Sequence, residues 1–213
     1  MTHLAKSLAA LAAIALAAPV LAALPPAQAW EIGPIIKGRN YSVGMPLQPS
    51  EAADGALALE FPLAGKGQVD AMTTAIGPLA GAREITVRYR IDAAPGTRFV
   101  ADERPNEPAT VSLYFQQRGD TWSGRGRYQS YRWYVPVRAV IPLAPGVQTV
   151  TVRLDETWTN VQGRANSDFP AGFAAALADT ARIGLAFGSS SARSHGVYAT
   201  GPARFTLLAL EIR

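Results

Sequence analysis

Aromatic and arginine side chains are concentrated in one stretch of the sequence, residues 114–134. Trp and Tyr offer flat apolar faces with a polar edge, which suit the C–H side of a sugar ring, and Arg donates paired hydrogen bonds to hydroxyl, carboxylate or sulfate groups. Ligand pockets combine aromatic walls with a few fixed polar groups in this way. The candidate ligand-binding residues come from this stretch and one later Trp: Arg118, Trp122, Arg125, Arg127, Tyr128, Tyr131, Arg132, Trp133 and Trp158.

Structural roles compete with ligand binding at some of these positions. Residues 131–135 have strand character, so Trp133 is open to two interpretations, a core residue or a ligand contact. Trp158 follows a strand end and is open to the same two interpretations. Three Gly and two Ser between Arg118 and Tyr131 break any strand or helix period, and these residues are therefore predicted to form a long loop.

Histidine and cysteine are too scarce for the common hydrolytic centres. The chain has no Cys and two His, of which His3 stands at the N-terminus, ahead of an apolar run at 8–24. A zinc hydrolase needs about three protein ligands, drawn from His, Cys and carboxylate side chains. With one His left and no Cys, this sequence is a poor fit to such a site. His195 stands close to Ser residues at 189–191 and 194, but the G-x-S-x-G turn that exposes a serine nucleophile is missing there. A turn histidine that caps the backbone is the predicted role of His195.

A polysaccharide hydrolase or lyase stays open as an alternative function. The carboxylates available for hydrolysis form two clusters: Asp102, Glu103 and Glu107, and Asp155 and Glu156. Adjacent residues of a strand point to opposite faces, so neither adjacent couple is by itself an acid/base pair. A lyase needs a base beside a charge-neutralising Arg, and Tyr128 or Tyr131 with Arg127 offers that combination.

Alternating hydrophobicity predicts a series of β-strands. In residues 84–91 the side chains of Ile85, Val87, Tyr89 and Ile91 fall on one face, as a half-buried antiparallel strand requires. The other predicted strands share this pattern or are short apolar runs between Gly and Pro: 56–61, 68–76, 110–116, 133–141, 149–154, 182–187, 196–200 and 204–212. Strands at this spacing indicate an all-β, antiparallel sandwich.

One short helix is predicted near residues 168–180. Phe169, Phe173 and Leu177 recur at helical spacing, and Pro170 suits a first helical turn. Ser167 or Asp168 is the predicted N-cap. We expect this helix to close one end of the sandwich.

The N-terminus has the pattern of a secretory signal. Lys6 precedes an Ala- and Leu-rich run at 8–24, and small residues stand at 27 and 29. The run is shorter than the ~20 strongly apolar residues of a membrane span. We therefore predict cleavage after Ala29, a secreted or periplasmic protein, and no transmembrane segment after signal cleavage. The predicted organisation is a signal at 1–29, a lead-in at 30–50 and one sandwich domain at 51–213.

Composition narrows the function classes further. The formal net charge is only +4 over 213 residues, which does not indicate a nucleic-acid partner. The hydrophobic share of 48% argues against disorder of the whole chain. Because there is no Cys, the stability of an exported protein has to come from its core rather than from disulfides.

Three segments resemble a known group of proteins. They are RIGLAFG at 182–188, HGVYATGPARFTL at 195–207 and YRWY at 131–134. They look like uncharacterised secreted bacterial proteins, and the strand order over 55–213 more distantly resembles galactose-binding-like jelly rolls, the fold of many carbohydrate-binding modules. That resemblance implies eight to ten antiparallel strands, a ligand site in loops or on a concave face, and a structural calcium with Glu60 and Glu211 as ligands. It implies no other cofactor.

The sequence therefore predicts a secreted, non-catalytic carbohydrate-binding protein that uses the aromatic and arginine loop. Its expected partner is a polysaccharide or cell-envelope glycan, with no catalytic residues. Two alternatives stay open: the hydrolase or lyase described above, and an envelope-associated structural or interaction protein of unknown ligand. The last alternative predicts that Trp122 and Trp133 are both buried.

Overall fold

The computed structural model describes residues 24–52 and 54–213, so most of the predicted signal segment lies outside the described residues. The described strands are β1 (Trp30–Gly33), β2 (Ile35–Ile36), β3 (Arg39–Asn40), β4 (Ser50–Glu51), β5 (Leu57–Glu60), β6 (Ala71–Ala75), β7 (Glu84–Ala93), β8 (Phe99–Ala101), β9 (Thr110–Gln117), β10 (Arg132–Tyr134), β11 (Ile141–Pro142), β12 (Gly146–Arg153), β13 (Thr159–Asn160), β14 (Thr180–Gly188), β15 (Val197–Ala199) and β16 (Ala203–Ile212). The described helices are α1 (Pro170–Ala178) and 3-10 turns at 27–29, 126–130, 137–139 and 166–168.

Two antiparallel sheets face each other, which confirms the predicted β-sandwich. The larger sheet has seven strands in the order β1-β6-β14-β9-β10-β13, with β11 also paired to β9. The smaller has five, in the order β12-β7-β16-β5-β4. Two short two-stranded pieces, β15-β8 and β2-β3, lie outside them. The likeness to galactose-binding-like jelly rolls in particular stays a prediction.

The core lies between the two sheets, and alternation places its residues there. In β7 the predicted inward residues Ile85, Val87, Tyr89 and Ile91 are all buried. They meet side chains of the larger sheet, and Phe187 of β14 packs edge-on against Phe205 of β16 with ring centroids 5.4 Å apart. The smaller sheet is thus half-buried, as predicted.

The central strand of the larger sheet departs from simple alternation. Val111, Leu113 and Phe115 of β9 point into the core as predicted, but the residues between them are buried too. Tyr114 belongs to a second apolar cluster on the outer face of this sheet, with Tyr134 and the half-buried Trp122 packed against it. Loops therefore cover the outer face, and the larger sheet is buried on both sides over its middle strands.

The predicted helix is present, but its N-cap is not the predicted one. Residue Phe169 takes the N-cap position without a side-chain cap bond, because Asn166–Asp168 form a separate 3-10 turn just before it. Pro170 occupies the first helical position as expected. Phe173 packs against Trp133 and Phe115, so the helix closes one end of the core.

The predicted lead-in contains strands that the sequence analysis did not anticipate. Trp30–Gly33 pairs antiparallel with β6 and forms an edge of the larger sheet. Trp30 is 2% exposed, and its Nε1 donates a hydrogen bond to the Pro25 carbonyl at 3.1 Å. Within the described part of the chain, no helix combines the length and apolarity needed to cross a membrane.

Candidate functional site

A groove of about 660 Å³ crosses the outer face of the larger sheet. Residues that follow β1 line one end of it, and residues of β13 line the other. These two strands are the edges of the sheet, separated by about 24 Å at the usual strand spacing. The lining residues are Pro34, Ile36, Tyr41, Gln68, Asp70, Asp102, Glu103, Trp122, Ser123, Arg132, Tyr134, Val137, Thr159, Asn160, Val161, Gly163 and residues 190–195. The groove is therefore lined by residues from both sides of the sheet.

Trp122 stands at the wall of this groove in a constrained conformation. Its backbone has φ 64°, a left-handed value that costs an ordinary L-residue roughly 1–2 kcal/mol. The Asp120 carboxylate accepts a hydrogen bond from the Trp122 backbone N–H at 3.0 Å. The Arg132 guanidinium lies 4.0 Å from the centroid of the indole ring. The indole is thus held in place by groups beneath it while it lines the groove.

A buried ion pair supports that arrangement. Arg132 Nη1 lies 3.3 Å from Asp120 Oδ2, and the two side chains are 3% and 0% exposed. Asp120 also accepts a hydrogen bond from Gln116 Nε2 at 2.8 Å, and Gln116 projects from the outer face of β9. The Arg132 Nε atom, buried beside the groove, has no hydrogen-bond partner among the described residues. Buried polar atoms are normally satisfied, so an unpaired Nε atom at this position is unusual.

Carboxylates gather at another part of the groove. Asp70 is 5% exposed, and its Oδ1 has no hydrogen-bond partner in the described chain. Burial, with the negative charges of Asp102 and Glu103, raises the pKa of Asp70 to about 8. His195 Nδ1 lies 2.8 Å from Glu103 Oε1, so this His pairs with a side chain rather than capping the backbone as predicted. We call Asp70, Asp102 and Glu103 the acidic corner.

A half-buried arginine supplies a positive group to the same groove. Arg193 Nη1 donates hydrogen bonds to the Val135 carbonyl at 3.1 Å and to Thr159 Oγ1 at 3.2 Å. Its guanidinium lies 5.5 Å from the ring centroid of Tyr134. Burial lowers the pKa of Arg193 from its ordinary value. The groove therefore offers fixed donors as well as the acidic corner.

Two of the predicted site residues belong to the core instead. Trp133 and Trp158 are both fully buried, at 0% exposure. Trp133 lies on the inward side of β10 and packs edge-on against Phe173 at 4.9 Å, while its neighbours Arg132 and Tyr134 line the groove. Trp158 packs against Phe115 with centroids 5.2 Å apart. Neither indole can reach a ligand, so both are removed from the candidate site.

Five further predicted residues lie outside the groove. Tyr128 and Tyr131 pack edge-on at 5.2 Å, and Arg127 Nη2 donates to the Tyr128 hydroxyl at 3.1 Å. Arg118 pairs with Asp179 at 3.1 Å on the surface, and Arg125 is exposed. None of the five lines the groove. The structure thus brings together only Trp122 and Arg132 of the nine predicted residues.

The other carboxylates named from the sequence are engaged elsewhere. Glu107 accepts a hydrogen bond from Ser191 Oγ at 2.7 Å, and hydrogen bonds from Ser189 and Ser191 lower its pKa. Asp155 pairs with Arg153 at 2.6 Å, and Glu156 pairs with Arg138. The two proposed calcium ligands form ion pairs with arginine: Glu60 with Arg204, and Glu211 with Arg213. Among the described residues, no three His, Cys, Asp or Glu side chains come together as metal ligands.

Several groove residues were not found from the sequence. Asp70 interrupts an apolar run between Val69 and Ala71, and a lone carboxylate in such a run is a signal because Asp is rarely buried. Tyr41, which is 38% exposed, lies in the segment treated as a lead-in. Arg193 lies in a Ser-rich loop and carries no sequence pattern that distinguishes it from other Arg residues.

Comparison with known proteins gives only distant likenesses. No family model matches the chain, and no curated protein matches it. One similar solved structure comes from work on endo-acting O-glycanases that prominent members of the human gut microbiota express to initiate mucin breakdown; it has 11% identity, a TM-score of 0.43, and coverage of 90% of this chain and 94% of that chain. Another is a non-crystalline cellulose specific carbohydrate-binding module, CBM28, with 14% identity, a TM-score of 0.38 and coverage of 87% of each chain. Both TM-scores are below 0.5, so we base no inference on either likeness.

Proposed function

We propose that this protein binds a polysaccharide or cell-envelope glycan in the groove on the outer face of its larger sheet. The observation that carries the proposal is Trp122, held in a left-handed backbone conformation on the groove wall by the buried pair of Asp120 and Arg132. Strained backbone persists only where the surroundings fix it, and it concentrates at ligand sites. An indole fixed in advance on a groove wall is suited to stack on a sugar ring.

The remaining groove surface fits the same class of ligand. Sugars present many hydroxyl groups, which need donors and acceptors at close intervals. Arg193 provides donors, and Asp102 and Thr159 provide acceptors along one continuous groove. Tyr41, beyond the end of β1, adds a further and more exposed aromatic ring to the lining. The edge-to-edge path across the sheet favours a chain of several sugar units over a single small molecule.

The proposed site is the groove beside Trp122 rather than the whole aromatic and arginine loop that the sequence indicated. The ligand is expected to contact Trp122, which Arg132 supports from beneath, while Tyr128, Tyr131 and Arg127 form a separate cluster outside the groove. The alternative of an envelope-associated protein without a small ligand predicts that Trp122 and Trp133 are both buried. Trp122 is only half-buried. An exported location, which the N-terminal pattern predicts, would place the groove where extracellular glycans are found.

Affinity electrophoresis tests the proposal. Native gels are cast with hydroxyethyl cellulose, xylan, laminarin, polygalacturonate, hyaluronan or gastric mucin, and migration is compared with that in a gel without polysaccharide. Wild-type protein is expected to be retarded in at least one gel. Trp122→Ala is expected to weaken the retardation about tenfold or more, because one stacking contact of about 1.4 kcal/mol corresponds to that factor.

Tyr128→Ala is the matched control, since it removes an aromatic ring of the same loop that does not line the groove. It is expected to keep wild-type retardation. Equal losses in Trp122→Ala and Tyr128→Ala would place the ligand on the loop rather than in the groove. No retardation of the wild-type protein in any of the gels would overturn glycan binding.

A further inference from the structure

Arg193 is a half-buried cation of the groove that makes no ion pair within the described chain. Its side chain is on the groove lining, yet no carboxylate of a described residue lies within salt-bridge distance of its guanidinium. The other arginine on the lining, Arg132, is paired with Asp120. Removal of a charge from water without a counter-charge costs free energy. The described residues therefore leave a counter-charge for Arg193 to be supplied from outside.

The protein fixes one end of this guanidinium and leaves the opposite edge unbound. Nη1 donates to the Val135 carbonyl at 3.1 Å and to Thr159 Oγ1 at 3.2 Å. The guanidinium also lies 5.5 Å from the ring centroid of Tyr134. The Nε and Nη2 atoms donate to no described residue, and neither is a fully buried atom without a partner. The Nε–Nη2 edge of Arg193 is therefore open to solvent.

The backbone next to Arg193 is constrained in the same way as that of Trp122. Ser194 is 9% exposed, lines the groove and has φ 62°, a left-handed value for a residue with a Cβ atom. Among the described residues, three that are not glycine have a positive φ, and Trp122 and Ser194 of the groove are two of them. Strained backbone that its surroundings fix is concentrated at ligand sites. The groove has this feature at both positions.

Trp122 and Arg193 lie over neighbouring outward positions of β10. The guanidinium of Arg132 lies 4.0 Å from the Trp122 ring centroid, and Tyr134 is the residue whose ring lies beside Arg193. Arg132 and Tyr134 both line the groove and are two positions apart in the strand, which corresponds to about 7 Å. One glycan chain in the groove can therefore contact Trp122 and Arg193 together.

The acidic corner lies on the other side of the sheet from Arg193. Asp70 directly precedes β6, whereas Val135, which accepts a hydrogen bond from Arg193, directly follows β10. Strands β14 and β9 lie between these two, so three strand spacings, about 14 Å, separate them. The other two carboxylates of the corner lie near enough for their charges to act on Asp70. An anionic group at Arg193 is thus kept apart from Asp70.

We propose that the glycan bound in the groove contains uronic acid and that the carboxylate of one such unit binds the Nε–Nη2 edge of Arg193; this rests on the proposed glycan binding. The guanidinium presents two parallel N–H groups along this edge, which match the two oxygens of a carboxylate. Hydrogen bonds between ionised groups are about twice as strong as neutral ones. The groove thus recognises a sugar ring through Trp122 and an acidic substituent through Arg193.

Affinity electrophoresis with matched forms of one polysaccharide tests this inference. Polygalacturonate and hyaluronan carry carboxylates, and their fully methyl-esterified forms have the same backbones without that charge. Wild-type protein is expected to be retarded by at least one of the two acids, and at least tenfold more weakly by the ester of that acid, because an ester cannot form the charged hydrogen bonds. This comparison needs no variant of the protein.

Substitutions of Arg193 locate the contact. Arg193→Gln is expected to lower retardation by the acid at least tenfold, to the level of the ester. Arg125→Gln removes the same charge from an exposed residue outside the groove lining, so it is the matched control and is expected to keep at least half of the wild-type retardation. Arg193→Lys keeps the charge but not the paired donors and is expected to be intermediate, and it keeps the test valid if Arg193→Gln does not fold.

The outcomes are distinguishable. Retardation of the wild type by another polysaccharide but by neither acid overturns the uronic acid and leaves glycan binding in place; dextran sulfate is included, so that recognition of sulfate alone is detected in this way. Equal retardation by an acid and its ester, or equal losses in Arg193→Gln and Arg125→Gln, overturns the role of Arg193. No retardation in any gel overturns both proposals.

Discussion

Removal of the Asp120 carboxylate should both destabilise the protein and weaken glycan binding. The side chains of Asp120 and Arg132 are 0% and 3% exposed, so Asp120→Ala leaves a buried guanidinium without its counter-charge. Loss of one partner of a buried pair costs about 3–5 kcal/mol. Asp120 also accepts hydrogen bonds from Gln116 Nε2 and the Trp122 N–H, whose loss acts in the same direction.

A second Asp–Arg pair in the chain provides the control. Asp179 and Arg118 lie 3.1 Å apart, but their side chains are 47% and 69% exposed. Solvent screens such a pair, and its contribution is about 0–1 kcal/mol. Asp179→Ala is therefore expected to change the free energy of unfolding by less than about 1 kcal/mol, in the same fold and with the same type of substitution.

Urea unfolding followed by circular dichroism measures both effects. Asp120→Ala is expected to lose about 3–5 kcal/mol and to migrate in the polysaccharide gel like Trp122→Ala. The double variant with Arg132→Met removes the unpaired charge and is expected to recover part of the stability but not the retardation. Equal unfolding free energies for Asp120→Ala and Asp179→Ala would refute the idea that a buried ion pair positions Trp122.

Two other predictions concern the core and the acidic corner. Trp158→Ala should lower the free energy of unfolding by about 3–5 kcal/mol, because the indole is fully buried and its Nε1 donates to the Arg153 carbonyl. Tyr128→Ala should lose far less in the same urea titration, and similar losses would contradict the core assignment of Trp158. The pKa of Asp70 is raised to about 8 from about 3.9 in an unfolded chain, so the native state binds one more proton between these values. The stability that this group contributes is therefore complete below about pH 4 and is lost as the pH rises toward 8. Urea unfolding at pH 5 to 9 should show this decline in the wild type and a flatter profile in Asp70→Asn; parallel profiles would show that Asp70 is not the group concerned.

Strand alternation was enough to predict the sandwich but not the face of each site residue. In residues 131–134, successive side chains of a strand point to opposite faces. Trp133 therefore lies on one face and Arg132 and Tyr134 on the other, whichever of the two faces the core. The partner strand decides which face is inward. Strand β10 pairs with β9 so that Trp133 lies beside Phe115, which points into the core, and Trp133 therefore points inward as well. The aromatic cluster was therefore identified correctly as a sequence feature, yet its members are divided between core, groove and a third surface.

The acidic corner could not be assembled from local sequence. Asp70 and Asp102 are brought together by the pairing of Val69 with Val197 and of Val197 with Ala101, contacts that join distant parts of the chain. Asp70 interrupts an apolar run, but Asp102 alone resembles an ordinary carboxylate after a strand. The burial of both faces of β9 was likewise unpredictable, because it depends on the loop that carries Trp122 folding back over the outer face.

Quenching of tryptophan fluorescence by acrylamide tests the location of the glycan site most directly. Of the four Trp residues, Trp30, Trp133 and Trp158 are at most 2% exposed, so Trp122 is expected to dominate the quenchable fraction. A polysaccharide that retards the protein in the gel should protect this fraction, and Trp122→Phe should abolish the effect. Binding of that polysaccharide with no change in wild-type quenching would contradict a glycan site at the Trp122 groove.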